Sequence, residues 1–156
     1  MLTPKRLIVG KSLKMTQKND RTETLWKSFL PFLPALGKRT GSGLVSMQIY
    51  PGVLNEGNFN ENALIHKWAG AEVDAFLDVP EELETHVIEK GLYAVFIHRG
   101  PASAFPRTAA FIYGHWLPRS GYRLDNREHF ELLPPGYRPD DPDATEEVWI
   151  PVIMDK

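Results

Sequence analysis

Hydrophobic and polar positions along the first half of the chain predict strands and one helix. Residues Arg6–Met15 alternate weakly around leucine and valine, as in a half-buried strand. From Leu25 to Leu36, apolar residues recur at helical spacing, but two prolines fall inside this pattern. The regular helix should therefore end or kink near Leu30. The same patterns predict a strand over Leu44–Tyr50, a polar connection over Pro51–Glu61 and a long strand over Leu64–Leu77.

The second half of the chain is predicted to follow the same order. Thr85–His98 holds two strand segments on either side of Gly91. A helical apolar series runs over Phe105–Trp116, and proline and glycine end it. Strands are then predicted over Glu128–Leu133 and Glu146–Ile153. Corresponding elements start roughly eighty residues apart, which indicates a repeat of architecture without residue-level identity.

Two strand–helix–strand–strand units predict an α+β fold. We expect one domain over residues 1–156, with pseudo-repeats at about 1–80 and 85–156. The units should form one antiparallel sheet with two helices on one face, and Trp26 and Ile112 should be buried between these layers. The opposite face, or the seam between the halves, is then free to hold a ligand.

Composition excludes several classes of function. The formal net charge of −2 gives no electrostatic attraction for a polyanion, and there is no cysteine for a disulfide or a thiolate site. No apolar run approaches the length that crosses a membrane, so a cytoplasmic protein is the default. The five histidines lack metal-type spacing, and no cofactor is expected.

Four motifs occur in order in the second half: GLYAVFIHRG, WLPRSGY, HFELL and EEVWIPV. Together they resemble the gyrase-inhibitor-like (GyrI-like) effector-binding domain. Its pattern falls here on Gly91, Tyr93, Ala94 and Gly100, on Trp116–Tyr122, on Phe130 and Glu131, and on Trp149–Pro151. In the first half, Leu25, Trp26 and the segment Trp68–Val73 are compatible with the family but less specific.

This resemblance implies two βαββ units around a groove that takes small, often cationic or aromatic, molecules. The domain is fused to AraC-type and MerR-type multidrug-responsive regulators and also occurs alone. Because this chain begins directly at its first predicted strand, we expect a stand-alone binding protein. It would sense or sequester small lipophilic or cationic compounds, by itself or beside a separate regulator protein.

Glu131 is the first candidate for the binding site, because the resemblance places an acidic residue at the groove floor. It follows Phe130, and neighbouring residues of a strand point to opposite faces. If Phe130 faces the helices, then His129, Glu131 and Leu133 share the groove face. A carboxylate among apolar neighbours needs a compensating partner, which a ligand cation would supply. The alternative is a solvated glutamate, paired with His129.

Aromatic side chains are the second set of candidates, since planar rings stack on ligands and attract cations. Trp149 alternates with three apolar residues of its strand and therefore faces either the groove or solvent. Trp116 ends an apolar helical stripe, which favours core packing over ligand contact. The candidates for ligand binding are Tyr93, Trp149, Trp68, Tyr137 and Trp116, with Tyr122 as a further possible lining residue.

Two other functions stay open. Some stand-alone relatives of this domain are similar to hydrolases that open the cyclopropane rings of electrophilic toxins. In such an enzyme Glu131 would be the catalytic general base, with Glu72 or Glu56 as a second acid. One carboxylate in the pocket favours binding, whereas two that converge on one water favour catalysis. A protein–protein inhibitor is the third interpretation, and no sequence feature isolates a partner surface.

The charge balance also yields a prediction about DNA. The protein should bind duplex DNA no better than weakly, since few phosphates can be neutralised by a chain of net charge −2. Fluorescence anisotropy with a labelled duplex at physiological salt checks this. A micromolar dissociation constant that weakens steeply with salt would contradict it.

Overall fold

The computed structural model describes residues 1–41, 43–52 and 62–155, and these form a curled antiparallel sheet with helices on one face. The strands are β1 (Leu2–Thr3), β2 (Arg6–Met15), β3 (Leu44–Ile49), β4 (Ile65–Val73), β5 (Glu84–Ile88), β6 (Gly91–Arg99), β7 (Tyr122–Leu124), β8 (His129–Leu133) and β9 (Thr145–Met154). Their order in the sheet is β1-β6-β9-β8-β3-β4-β2-β5, and β7 pairs with β9 beside it.

One helical segment follows β2 in the first half, and one follows β6 in the second half. Helix α1 spans Thr22–Phe29 and continues as a 3₁₀ turn over Leu30–Ala35, so the predicted change near Leu30 is confirmed. The second segment begins with a short 3₁₀ turn, Ala102–Ala104. It continues as α2 (Phe105–Phe111), a π-helical turn (Ile112–Trp116) and α3 (Leu117–Arg119).

The predicted repeat of architecture is confirmed. The first unit is β2-α1-β3-β4 and the second is β6-α2-β8-β9. Within each unit, the last strand lies between the other two in the sheet. The units join through β3 and β8, which pair antiparallel at the centre of the sheet. The seam between the halves is therefore a continuous strand pair.

The sheet curls strongly because the chain links its two ends. Only two residues separate β1 from β2, yet β1 pairs with β6 at one end and β2 lies near the other. Across the curl, the guanidinium of Arg6 stands 5.5 Å from the ring centre of Phe130 and 4.9 Å from that of Trp149. A core fills this concave face; its buried members are Ile8, Val45, Met47, Trp68, Ile88, Tyr93, Phe130 and Trp149.

The helices cover the convex face with two separate cores. Leu25 and Phe29 of α1 are buried against the first half, and Ile112 is buried against the second. Ile112 thus lies where it was predicted, but Trp26 is only partly buried. Leu25 and Phe29 occupy the helix face that meets the sheet, so Trp26 packs at its side, edge-on to Phe29 at 6.1 Å.

Three features differ from the sequence-based expectations. The patterns did not reveal β1 and β7, which are only two and three residues long. The strand predicted over Leu64–Leu77 ends at Val73. Ala75 and Leu77 continue the alternation beyond Val73, but they do not join the sheet. Asp78 then turns the chain, with a φ of 51°. Most of the polar connection, residues 53–61, lies outside the described residues.

A close approach of two strands gives a stability prediction. Gly10 and Gly70 are opposite each other in β2 and β4, and a Cβ on Gly10 would lie 2.7 Å from the Gly70 Cα. Gly10→Ala should therefore cost roughly 1–3 kcal/mol of unfolding free energy, or more if the strands cannot separate. Gly114→Ala is the matched control: a Cβ there meets open space, and alanine favours the helix by up to about 1 kcal/mol. Equal urea denaturation midpoints for the two variants would contradict this prediction.

Candidate ligand-binding site at the seam between the halves

The seam strands place polar side chains on the helix-covered face. Ser46 is opposite Glu131, and Gln48 is opposite His129, so these four residues share one face of the sheet. The Gln48 amide donates a hydrogen bond to Glu131 Oε1 at 3.0 Å. The hydroxyl of Tyr113, from the helical segment, lies 3.3 Å from His129 Nδ1, which identifies this face as the one beneath the helices.

The assumption made from the sequence was that Phe130 faces the helices, and in the structure the opposite side of β8 does so. Phe130 points into the concave core, where its ring stacks on that of Trp149 at 5.3 Å. His129 and Glu131 point toward the helices. The two helix-bound cores on this face are separate, and the seam between them holds these polar groups in place of apolar ones.

A second carboxylate lies on the same face of the neighbouring strand. Glu131 is opposite Val148 of β9, so Glu146, two residues before Val148, points the same way. Such diagonal neighbours have their Cα atoms roughly 7–8 Å apart. Glu146 is 8% exposed, and the hydroxyl of Tyr137 hydrogen-bonds its carboxylate.

Burial leaves both carboxylates poorly compensated. It raises the pKa of Glu131 to about 8, with the charge of Glu146 adding to the effect and Gln48 opposing it. It also raises the pKa of Glu146, against the Tyr137 hydrogen bond and nearby His98. In the described part of the chain no salt bridge reaches either group. Lys67, whose charge opposes the rise in the pKa of Glu131, donates a hydrogen bond to Thr22 Oγ1 of α1 at 3.0 Å.

Neutral aromatic rings surround these carboxylates. Burial raises the pKa of Tyr50, Tyr113 and Tyr137 above the ordinary tyrosine value, and the charge of Glu131 raises each further. Burial lowers the pKa of His129 to about 4, so this imidazole is neutral at physiological pH. The rings of Tyr50 and His129 meet edge to face at 4.9 Å. The site thus combines two buried carboxyl groups with uncharged aromatic walls.

The structure brings only part of the predicted set to this site. Tyr137 joins Glu131, whereas Tyr93, Trp149 and Trp68 belong to the concave core on the other face. Trp116 is half-buried, packs edge-on against Phe96 at 5.0 Å and stacks on Tyr122 at 6.3 Å. Of the two proposed second acids, Glu72 does not reach Glu131. Glu72 forms a salt bridge with Arg6 at 2.8 Å on the concave face, and Glu56 lies outside the described residues.

Sequence reasoning missed Tyr50, Tyr113 and Glu146. The sequence did contain a signal for Glu146, because this residue lies two positions before Val148 and so on the same face of the strand as Val148, Ile150 and Val152. A carboxylate in the line of helix-facing apolar residues predicts a buried charge. Tyr50 and Tyr113 carried no comparable signal. Their position depends on how the β3 end and the π-helical turn approach β8.

Among the described residues, no group of three or more His, Asp or Glu side chains is arranged to hold a metal ion. None of the helices in this part of the chain is long and apolar enough to cross a membrane.

The raised pKa of Glu131 predicts how stability depends on pH. The unfolded chain ionises this group near its ordinary value of 4.5, but the folded chain resists ionisation up to about pH 8. Its contribution to stability is therefore full below pH 4.5 and is lost as the pH rises toward 8. Glu131→Gln should raise the unfolding free energy at pH 8 by roughly 2–4 kcal/mol and change it little at pH 5. Urea denaturation at both pH values measures this, with the exposed Glu81→Gln as control; equal gains at both would contradict it.

Comparison with known proteins finds relatives of this chain in sequence and in structure. Transcriptional regulator BrlR of Pseudomonas aeruginosa is 26% identical over 146 residues, which cover 93% of this chain and 51% of the regulator. The chain thus spans about half the length of the curated relative it matches. The crystal structure of the EcmrR C-terminal domain superposes with a TM-score of 0.72 at 17% identity, covering 99% of this chain and 95% of that one.

A third comparison involves a bound ligand. The structure of SAV2435 bound to tetraphenylphosphonium matches with a TM-score of 0.66 at 14% identity, over 98% of this chain and 92% of that chain. At this identity the likeness shows a shared fold. The family described as the GyrI-like small molecule binding domain matches residues 4–153, nearly the whole sequence. The chain therefore belongs to the GyrI-like small molecule binding domain family.

Proposed function

We propose that this protein binds small lipophilic or aromatic cations at the seam site, between the two helix-covered cores. Glu131 and Glu146 supply the negative charge, and the rings of Tyr50, Tyr113 and Tyr137 supply the stacking surface. The observation that carries this proposal is the buried carboxylate pair, which among the described residues has no salt-bridge partner and is walled by neutral aromatic rings.

An organic cation is the occupant that best offsets the cost of this arrangement. A carboxylate removed from water is unfavourable unless a partner of opposite charge compensates it. At about 4 Å and an effective dielectric of about 20, the attraction of one ion pair is roughly 4 kcal/mol before desolvation is subtracted. The rings of the three tyrosines add cation–π attraction, which favours weakly hydrated, aromatic cations over small inorganic ones.

The family assignment and one relative support the same ligand class. The family is one of small-molecule binding domains, and SAV2435 has been seen with tetraphenylphosphonium, a lipophilic cation. BrlR is a transcriptional regulator, which favours a role in sensing over simple storage. In this proposal the chain senses or sequesters its ligand, and a separate regulator protein is the partner that would receive a sensing signal.

A hydrolase is the second candidate, because the site holds two carboxylates on one face rather than one. The roles would differ from those first expected. Glu131, whose pKa is raised to about 8, would retain its proton and act as the general acid. Glu146 would accept a proton from the attacking water. Opening of a strained carbon ring would then form a C–O bond, break a ring C–C bond and move one proton to the released carbon.

Product analysis separates these two candidates. The protein is incubated with a cyclopropane-bearing electrophile, and mass spectrometry follows the addition of one water to it. Binding without conversion over many equivalents favours the binding protein. Ring opening that Glu131→Gln and Glu146→Gln each abolish would establish the hydrolase.

Glu131→Gln tests the binding proposal itself, since glutamine keeps the shape and removes the charge. Loss of a charged interaction of about 1.5–3 kcal/mol predicts that tetraphenylphosphonium binds roughly 10- to 150-fold more weakly. Isothermal titration calorimetry at pH 8, where the parent carboxyl ionises most readily, measures this change.

Two controls accompany the measurement. Neutral triphenylphosphine oxide should lose much less affinity, because ring stacking does not depend on the carboxylate charge. Glu147→Gln removes a charge next to Glu146 but on the other face of β9, so it should leave tetraphenylphosphonium binding unchanged. A Glu131→Gln variant that binds the cation as tightly as the parent would refute the site.

A further inference from the structure

We propose that Glu131 and Glu146 act as one pair that gives up a proton when a cation enters the seam site, so that cationic ligands bind more tightly as the pH rises. This inference rests on the proposed function and concerns the regulation of the same site. It assigns Glu146 a role that differs from that of Glu131: it controls how readily its neighbour ionises.

The geometry of the sheet keeps the two carboxylates together. They stand on adjacent strands, on one face and in diagonal register, because Glu131 is opposite Val148. Glu146 is 8% exposed and Val148 is fully buried, so solvent screens the interaction poorly. Two carboxylates at this separation, in a partly desolvated site, cannot both ionise without mutual repulsion.

The charged and titratable groups facing the pair leave this repulsion largely uncompensated. They come from six parts of the fold: Lys67 on β4, His98 on β6, His129 on β8, Tyr50 after β3, Tyr113 on the second helical segment and Tyr137 in the loop before β9. Lys67 is the only lysine or arginine among them in the described residues, and Thr22 accepts a hydrogen bond from it.

The two histidines compensate the pair only in part. His129 is held neutral by burial, which lowers its pKa to about 4. His98 is 2% exposed, and its ring nitrogens lie 2.5 Å from Thr108 Oγ1 and 3.1 Å from the carbonyl oxygen of Pro101. Nε2 donates to the Pro101 carbonyl, so His98 makes its hydrogen bonds away from the pair, but it is opposite Glu146 in the sheet and opposes part of the rise in the pKa of that carboxyl.

A proton therefore serves as the counter-charge before a ligand arrives. Burial raises the pKa of both carboxyls, and Glu146 raises that of Glu131 further. When a monovalent cation binds, the O–H bond of Glu131 breaks and its proton passes to solvent. The net charge inside the site is the same before and after, so the cation replaces the proton without adding charge to a buried region. A neutral ligand makes no such exchange.

Calorimetry on the full chain tests this coupling. Tetraphenylphosphonium is titrated at pH 6, 7 and 8 in pairs of buffers whose ionisation enthalpies differ. We expect the binding heat to depend on the buffer, with release of up to about one proton per ligand, and the dissociation constant to fall with pH by at most about tenfold per unit. Binding heats independent of buffer, with an unchanged affinity from pH 6 to 8, would overturn the inference.

Substitutions of Glu146 test whether the two groups act as a pair. Without the charge of Glu146, Glu131 ionises at a lower pH. Glu146→Gln should therefore release fewer protons at pH 7, and the rise in affinity should shift to lower pH. Glu146→Asp keeps the charge and should release protons as the parent does, and Glu131→Gln should release none. If Glu146→Gln releases as many protons as the parent at every pH, the pairing is wrong.

The outcomes separate this inference from the proposed function. If tetraphenylphosphonium does not bind the parent protein at any pH, the proposed function itself fails. If it binds with a strong dependence on Glu131 but without proton release, only the coupling fails. Triphenylphosphine oxide completes the set, because its affinity should be independent of pH; a similar pH dependence for this neutral compound would also overturn the coupling.

Discussion

The antiparallel pairing of β3 with β8 is the constraint on which the rest of this structure depends. This pair joins the two halves, and its register fixes which side chains meet on each face. On the concave face it places Met47 beside Phe130, at the centre of the aromatic core. On the convex face it places Ser46 beside Glu131. One register therefore determines both the principal core and the position of the polar site.

The two faces of the sheet differ in whether a buried charge has a partner of opposite charge within the protein. On the concave face, Arg6 lies over the rings of Phe130 and Trp149 and also pairs with Glu72, so its charge is compensated within the protein. On the convex face, the helices leave Glu131 and Glu146 at the seam, where among the described residues no salt bridge compensates them. The contrast explains why only the second arrangement suggests an external cation.

A proton and a cationic ligand would compete for the same negative charge in this site. Burial makes the charged form of Glu131 unfavourable, and the like charge of Glu146 adds to that cost. The same property that weakens folding at high pH would therefore strengthen cation binding there. Stability and binding are thus linked through one ionisation, which is a common consequence of building a charged site inside a desolvated region.

The sequence by itself determined the order of the longer elements, most of their bounds and the two βαββ units, and it singled out Glu131 as a candidate, because these follow from local periodicity, prolines and short motifs. Tertiary structure alone decided the facing of β8: the strand alternates in either orientation, and only the curled sheet, with Arg6 over its aromatic rings, shows that Phe130 turns inward. Because of this orientation, Tyr93, Trp68 and Trp149 lie on the face opposite to Glu131. Tyr50, Tyr113 and Glu146 lie on the same face as Glu131. Such contacts join residues far apart in the chain, and no local pattern encodes which of two hydrophobic faces will be covered by helices.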